Sequence, residues 1–150
     1  KNFLKLKDRN FFIETAKNFN NFYGSPYKNI KFSNKNSEYI LFDIDWKGAR
    51  KIRKNYPKDN IIDFFILPPS KKELEKRLIK RGRDNKEEIK LRLSYALKEM
   101  LHYKEYKYVL INKNIKETVN DIKKIIEYYK LKENNKKNLN TKLKRIINRN

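Results

Sequence analysis

The 150-residue sequence predicts an α/β domain in which a parallel sheet is flanked by helices. The first observation behind this prediction is that short apolar runs alternate with longer helical stretches, as in strand–helix–strand units. The second is that the apolar runs are continuous rather than broken by polar residues, which is typical of strands buried on both faces. Hydrophobic residues make up 38% of the chain, enough for one domain with a single core.

Four apolar runs are predicted as strands because they have strand length and are bounded by turn residues or charges. They are residues 11–16, 39–45, 61–67 and 108–111. Between the first two runs, Gly24 and Pro26 predict a turn-rich stretch, since both residue types interrupt regular structure.

Four helices are predicted from their start and stop signals. The first covers residues 46–56 and ends before Pro57. The other three begin with a capping-box pattern, in which a Ser or Asn is followed three residues later by Glu. The three pairs are Ser70 with Glu73, Asn85 with Glu88, and Asn114 with Glu117.

The last stretch of the chain, residues 132–150, is rich in Lys and Asn and poor in apolar residues. This composition predicts either a disordered tail or a frayed basic helix. We therefore place the domain at residues 1–131 and expect a separate basic tail at 132–150.

The composition excludes several classes of site. With no Cys and a single His, His102, the chain has no disulfide, no thiolate metal site and no multi-histidine metal site. No apolar run approaches the roughly 20 residues of a membrane span, and no signal peptide opens the chain. We expect a cytoplasmic protein with no membrane partner.

The formal net charge is +21, from 39 Lys or Arg against 18 Asp or Glu. Such a surface attracts nucleic acid, an acidic membrane or phosphorylated ligands. However, Lys, Asn and Ile are all over-used, as AT-rich coding DNA would produce, and the basic residues are scattered without a nucleic-acid-binding motif. We therefore interpret most lysines as solvated, and a nucleic-acid partner is disfavoured.

Several short motifs follow one another along the chain. They are Phe12-Ile-Glu14, Asn21-Phe-Tyr23-Gly24-Ser25-Pro26, Leu41-Phe-Asp43-Ile-Asp45-Trp-Lys-Gly48-Ala-Arg50, Phe65-Ile-Leu67-Pro68-Pro69-Ser70, Leu74-Glu-Lys-Arg77-Leu78 with Arg81-Gly82, and Glu105-Tyr106-Lys-Tyr108-Val-Leu-Ile-Asn112. Taken in order, these motifs resemble the guanylate kinase family, and the order and spacing hold from Phe3 to Leu131. The resemblance implies a P-loop nucleoside monophosphate kinase-like fold that transfers a phosphoryl group from ATP to GMP, giving ADP and GDP. It implies a GMP-binding remnant in residues 1–36, and core and lid in 37–131.

Part of the family's pattern is not found in these 150 residues. The glycines are Gly24, Gly48 and Gly82, and none belongs to the Gly-rich loop ending in Gly-Lys-Ser/Thr that cradles phosphates. The family's first GMP-phosphate segment is also missing. We expect an N-terminally truncated domain, either a fragment or a truncated gene product, that is not active by itself.

The resemblance implies GMP contacts at Glu14, Tyr23, Ser25 and Asp45. Glu14 would accept hydrogen bonds from the N1–H and amino group of guanine, whereas adenine offers an acceptor in place of the N1–H. Tyr23 would contact the GMP phosphate, and Ser25 would hydrogen-bond the base. The residues alone leave other roles open: an exposed strand glutamate, a turn aromatic, a turn hydroxyl and, for Asp45, a helix N-cap.

The resemblance implies that three lid arginines close over the phosphates. Arg77, Arg81 and Arg92 would act on the transferred group, and Arg77, Arg81 and Asn112 would contact ATP. Arg77 and Arg81 are four residues apart, so their like charges repel unless an anion lies between them. Arginine suits the role because its charge is permanent and its donors are fixed. A solvated basic face and, for Asn112, a loop cap are the alternatives.

Mg²⁺, bound with ATP, is the implied cofactor. Asp43, near the end of a predicted strand, would reach the metal through a water molecule. The main alternative to an enzyme is a catalytically silent guanylate kinase-like module that binds proteins. A basic nucleic-acid-binding protein is the second alternative.

Overall fold

The structure, a computed structural model, describes residues 2–18, 21–28, 39–82 and 85–147. The chain divides into two compact units, Lys1–Asp63 and Phe64–Asn150. The described residues of each unit contain helices and one two-stranded sheet, so the predicted mixture of helices and strands is confirmed. The predicted division after residue 36 lies outside the described residues, and the division after residue 131 stays a prediction.

The described residues of the first unit include a β-hairpin and the helices α1 and α2. Strands β1 and β2 pair in antiparallel fashion, with Glu14 opposite Ser25 and Ala16 opposite Tyr23. Helix α1 is closed by Asn10, whose left-handed φ of 51° allows the N–H of the next residue to reach back to the helix. The elements are α1 at Asn2–Asp8, β1 at Phe12–Asn18, β2 at Asn21–Pro26 and α2 at Trp46–Asn55.

The predicted turn around Gly24 and Pro26 is wrong, because these residues belong to strand β2. A β-bulge between Phe12 and Glu14 shifts the register of β1, so the phenyl ring of Phe12 packs over Gly24. A Cβ at position 24 would lie 2.8 Å from that ring. The glycine therefore permits close packing inside a strand.

The predicted strand at residues 39–45 is also wrong, since this stretch has no strand assignment. Among the described residues, β1 and β2 pair only with each other, and β3 and β4 likewise, so neither pair includes this run. Leu41, at its centre, is 89% exposed. An apolar run signals a tendency to be buried, but a strand also requires a neighbour to accept its backbone hydrogen bonds.

The core of the first unit lies between α2 and the hairpin. Ile13 of β1 is buried together with Ala49 and Ile52 of α2. In the last turn of α2, the Arg53 Nε lies 2.6 Å from the Asp63 carboxylate, and both side chains are largely buried. This ion pair ties the end of α2 to the end of the unit.

The second unit contains the parallel pairing that the sequence predicts. Strands β3 and β4 run parallel, with Phe64 opposite Tyr108 and Leu67 opposite Ile111. The predicted strand at 61–67 is thus observed in its last four residues, and the one at 108–111 in full. The elements are β3 at Phe64–Leu67, α3 at Lys71–Lys80, α4 at Lys86–Met100, β4 at Tyr108–Ile111 and α5 at Ile115–Ile147.

The helix starts at Ser70 and Asn85 follow the capping signals, whereas the Asn114 Oδ1 accepts from the Lys116 N–H at 2.8 Å rather than from the Glu117 N–H. The Ser70 hydroxyl accepts a hydrogen bond from the Glu73 N–H at 3.1 Å. Asn85 and Glu88 form a full capping box, with both reciprocal hydrogen bonds at 2.9 Å. Such caps satisfy N–H groups that have no partner within the helix.

Helix α5 is anchored through its first half. Thr118 and Tyr129 are buried, and the Tyr108 hydroxyl of β4 donates a hydrogen bond to the Tyr129 hydroxyl at 3.2 Å. This hydrogen bond is the main cause of the raised pKa of Tyr108. From residue 131 to 147 the helix continues with every side chain exposed. Of the two predicted forms of the tail, the structure has the helical one as far as Ile147.

No helix in the described part of the chain is long and apolar enough to cross a membrane. The cytoplasmic location stays a prediction.

Removing residues 132–150 is expected to change the free energy of unfolding by no more than about 0.5 kcal/mol, because exposed side chains contribute little. Chemical denaturation of the 150-residue chain and its shortened form, followed by circular dichroism, measures the difference.

Substitutions at two adjacent tyrosines, one buried and one exposed, are the controls for this experiment. Tyr129 is 8% exposed and Tyr128 is 58% exposed. Tyr129→Ala is expected to cost about 3 kcal/mol, as for other buried aromatic residues, and Tyr128→Ala far less. A loss on tail removal as large as that of Tyr129→Ala would show that the tail belongs to the core.

Candidate functional site

The centre of the candidate GMP site is a buried carboxylate on the hairpin. Glu14 is 4% exposed, and its Oε1 accepts a hydrogen bond from the Ser25 hydroxyl at 2.7 Å. The register of β1 and β2 places the two residues directly opposite each other. The hydrogen bond holds one carboxylate oxygen in place from the neighbouring strand.

Helix α2 approaches the same carboxylate from the other side. A Cβ at Gly48 would lie 3.0 Å from the Glu14 Oε2 and 3.2 Å from the Cβ of Ile44. The glycine therefore allows the first turn of the helix to lie against Glu14. Both oxygens of Glu14 are thus confined, one by a hydroxyl and one by a helix.

Asp45 fixes the start of that helix. Its Oδ1 accepts a hydrogen bond from the Gly48 N–H at 2.8 Å, so Asp45 is the N-cap of α2. The N-cap role that the sequence left open is therefore the observed one. Because Gly48 also contacts Glu14, the structure brings Glu14, Ser25 and Asp45 into one cluster.

Tyr23 lies on the same face of the hairpin as Glu14 and Ser25, because residues two apart along a strand share a face. Its side chain is 53% exposed, so its ring stands in solvent beside the cluster. Asp43 is also exposed, on the segment that leads into Asp45. Both side chains can therefore be reached by a ligand.

In the second unit, Arg77 and Asn112 are in direct contact. The Arg77 Nη2 donates to the Asn112 backbone carbonyl at 3.0 Å, and its Nε donates to the Glu73 carboxylate at 3.0 Å. The Asn112 N–H in turn donates to the Leu67 carbonyl at 2.7 Å. Arg77 therefore joins α3 to the end of the sheet, and the Glu73 carboxylate offsets its positive charge.

Arg81 and Arg92 occupy different settings. Arg81 is the exposed C-cap residue of α3, followed by Gly82 with a left-handed φ of 66°. Arg92 lies on α4 and is half-buried. The structure thus places Arg77 and Arg81 one turn apart on one helix end and Arg92 on the next helix.

Sequence reasoning missed two residues that shape these groups. Gly48 was quoted only as part of a motif, although a glycine in the first turn of a helix is itself a signal of close packing. Glu73 was assigned as a cap partner only, whereas its i, i+4 spacing from Arg77 also predicts an ion pair.

The described residues contain no group of three or more His, Cys, Asp or Glu side chains that could hold a metal ion. A Mg²⁺ that enters with a nucleotide needs less from the protein, because water and phosphate oxygens supply most of its ligands. The exposed carboxylate of Asp43 is compatible with that kind of site.

Comparisons with known proteins agree with the resemblance seen in the sequence. Residues 1–129 match the sequence pattern of the family described as Guanylate kinase. A guanylate kinase of Buchnera aphidicola subsp. Baizongia pistaciae is 46% identical over 124 residues, covering 83% of this chain and 59% of that protein. A guanylate kinase of Rickettsia prowazekii is also 46% identical, covering 83% of this chain and 62% of that protein.

A solved structure extends the comparison to the fold. The crystal structure of guanylate kinase from Anaplasma phagocytophilum matches with a TM-score of 0.70 and 34% identity, over 85% of this chain and 60% of that one. The chain thus spans about three fifths of the length of the relatives it matches. On the family match and the identity together, the chain belongs to the guanylate kinase family.

Proposed function

We propose that this chain contributes the GMP-binding and lid parts of a guanylate kinase, which transfers a phosphoryl group from ATP to GMP. The observation that carries the proposal is the Glu14 carboxylate, held by the Ser25 hydroxyl and by the first turn of α2. In a guanylate kinase chain, a carboxylate fixed in this way is suited to reading a base that presents two adjacent N–H donors.

Guanine and adenine differ at the edge that Glu14 would contact. Guanine presents N1–H and an amino group, both of which a carboxylate accepts, whereas adenine presents an unprotonated N1 that would face the carboxylate as a second acceptor. A buried acceptor left without a donor costs free energy, so the wrong base is rejected. Because Glu14 is only 4% exposed, guanine binding also requires a local opening around the carboxylate.

The remaining hairpin residues would hold the rest of GMP. We assign Ser25 to the base and the exposed phenol of Tyr23 to the phosphate. We assign Asp45, which caps α2 by accepting from the Gly48 N–H, to GMP as well. A carboxylate has about four lone-pair positions, so an N-cap role does not preclude a second hydrogen bond.

The lid arginines would stabilise the negative charge of the phosphoryl group during its transfer. In phosphoryl transfer the transition state spreads negative charge over the equatorial oxygens, and positioned cations supply much of the catalysis. We assign this role to Arg77, Arg81 and Arg92, with Arg77, Arg81 and Asn112 contacting ATP. Mg²⁺ bound with ATP would neutralise phosphate charge, and Asp43 is the residue that would hold it through water.

Glu14→Gln is expected to weaken GMP binding about ten- to hundredfold, because a hydrogen bond to a charged group contributes about 1.5–3 kcal/mol. ATP binding should be unchanged. Calorimetric titration with each nucleotide measures this in a completed enzyme, made by joining the 150 residues to the part of a guanylate kinase relative that they do not cover.

Glu117→Gln is the control for that titration, since Glu117 is exposed on α5 and the substitution is the same. It should leave both affinities unchanged. Equal losses for GMP and ATP in the Glu14 variant would contradict the assignment of Glu14 to the guanine base.

Arg81→Ala is expected to lower turnover of the completed enzyme by about a thousandfold, as for other arginines that stabilise the transferred group, with little loss of stability. Arg77→Ala should lower both turnover and stability, because Arg77 also joins Glu73 to the Asn112 carbonyl. Steady-state kinetics and thermal denaturation separate the two effects.

Lys76→Ala, on the exposed side of the same helix, is the control and should change neither quantity. If Arg81→Ala lowered the melting temperature as much as Arg77→Ala and left turnover intact, both arginines would be structural, and the assignment of Arg81 to the transferred group would be wrong.

The 150-residue chain by itself is expected to show no guanylate kinase turnover. Its sequence has no Gly-rich loop whose N–H groups and lysine hold the donor phosphates. A coupled assay that follows ADP and GDP formation from ATP and GMP tests this. Turnover near the roughly 1–100 s⁻¹ typical of kinases would overturn it.

A further inference from the structure

The second half of α5 lies beyond the family match, which ends at residue 129. The helix nevertheless continues to Ile147. Every side chain from residue 131 to 147 is exposed, including five leucines and isoleucines that are more than half exposed: Leu131, Leu139, Leu143, Ile146 and Ile147. Most helical stability in proteins comes from packing of an apolar face, so packing against a further surface would stabilise this half of the helix.

The apolar residues of this half form one face. Tyr128, Leu131, Leu139, Leu143 and Ile146 are separated by intervals that sum to whole turns of three or four residues, so their side chains point the same way. We call this set the α5 stripe. All five side chains are more than half exposed, so the α5 stripe is open to solvent along its length.

The charge around the α5 stripe is almost entirely positive. Residues 131–147 hold six Lys or Arg and one Glu, a net charge of +5. Lys132 and Lys136 lie seven residues, or about two turns, before Leu139 and Leu143, which places Lys132 on the same face as the stripe and Lys136 at its edge. Lysines in this position can lay their alkyl stems along an apolar surface while their ammonium groups reach outward.

The exposed apolar stripe and the positive charge around it together favour one class of binding partner. A second copy of α5 could cover the stripe, but it would bring the same net positive charge and repel the first. A nucleic acid would pair with the lysines but would leave the leucines and isoleucines in water. An anionic bilayer satisfies both, because its acyl boundary takes the apolar side chains and its headgroups take the ammonium groups.

We propose that residues 128–147 of α5 form a docking surface for an anionic lipid bilayer, on which the helix lies parallel to the membrane plane. The helix does not cross, since no helix in the described ranges is apolar enough for that. The expectation of no membrane partner rested on the lack of a spanning segment, and a helix that lies on a surface needs none. The proposal is independent of the kinase activity.

Vesicle flotation of the 150-residue chain tests the proposal, because bound protein rises with the vesicles whereas aggregated protein sinks. We expect flotation with phosphatidylcholine vesicles that contain phosphatidylglycerol, and little with phosphatidylcholine alone. Added salt should lower binding, since it screens the attraction between lysines and headgroups. No flotation, or equal flotation with both vesicles, overturns the proposal.

A pair of matched variants tests the role of the α5 stripe. Leu139→Gln with Leu143→Gln should lower vesicle binding about tenfold or more, because two buried aliphatic side chains are lost. Asn134→Gln with Thr141→Gln, on the opposite face, should leave binding unchanged. Gln is nearly as good a helix former as Leu, and neither pair changes the charge.

The remaining outcomes identify other occupants. Equal binding by both variants would mean that charge alone attracts the vesicles, which overturns a docking surface built on the stripe. If the chain bound RNA in the same way in both variants and did not float, the surface would be a nucleic-acid contact instead. A dimer in light scattering that the stripe variant abolished, without flotation, would assign the stripe to a second copy.

Discussion

The close approach of Gly48 to Glu14 places α2 against β1 in the first unit. A carboxylate that is almost fully removed from solvent needs fixed neighbours, and here a helix turn and a serine hydroxyl provide them. Glycine lowers helix stability by about 1 kcal/mol relative to alanine, so the close approach is obtained at a cost. Asp45 offsets part of it by capping the same turn. Gly48 and the N-cap Asp45 together therefore hold the first turn of α2 against β1.

The features that sequence analysis predicted correctly are those fixed by local interactions. Ser70 and Asn85 start their helices because a side-chain oxygen reaches an N–H only three residues away, whatever the rest of the chain does. The run at 39–45 failed for the opposite reason, since strand formation depends on a neighbour distant in sequence. The prediction of a turn at Gly24 is wrong because the glycine makes room for the ring of Phe12. That contact depends on the bulge in β1, which the sequence does not indicate.

The candidate site was predicted in its residues but not in its contacts. Glu14, Ser25 and Asp45 were named separately, and nothing in their spacing indicated that Gly48 would join them. The sequence analysis treats Arg77 as one of two repelling charges. In the structure its guanidinium donates to two acceptors, the Glu73 carboxylate and the Asn112 carbonyl. A single arginine can serve both purposes, because its guanidinium has five donors and these two contacts use only two of them.

The large positive charge of the chain has different physical consequences along its length. In the first two thirds, basic side chains such as Arg53 and Arg77 meet carboxylates or backbone carbonyls, and their charge is locally compensated. In residues 131–147 the lysines stand beside exposed leucines on a helix that extends past the family match. A compositional bias toward lysine explains the number of charges in both places, but not their alignment with an apolar face. That alignment is what distinguishes a surface with a binding preference from one that is merely charged.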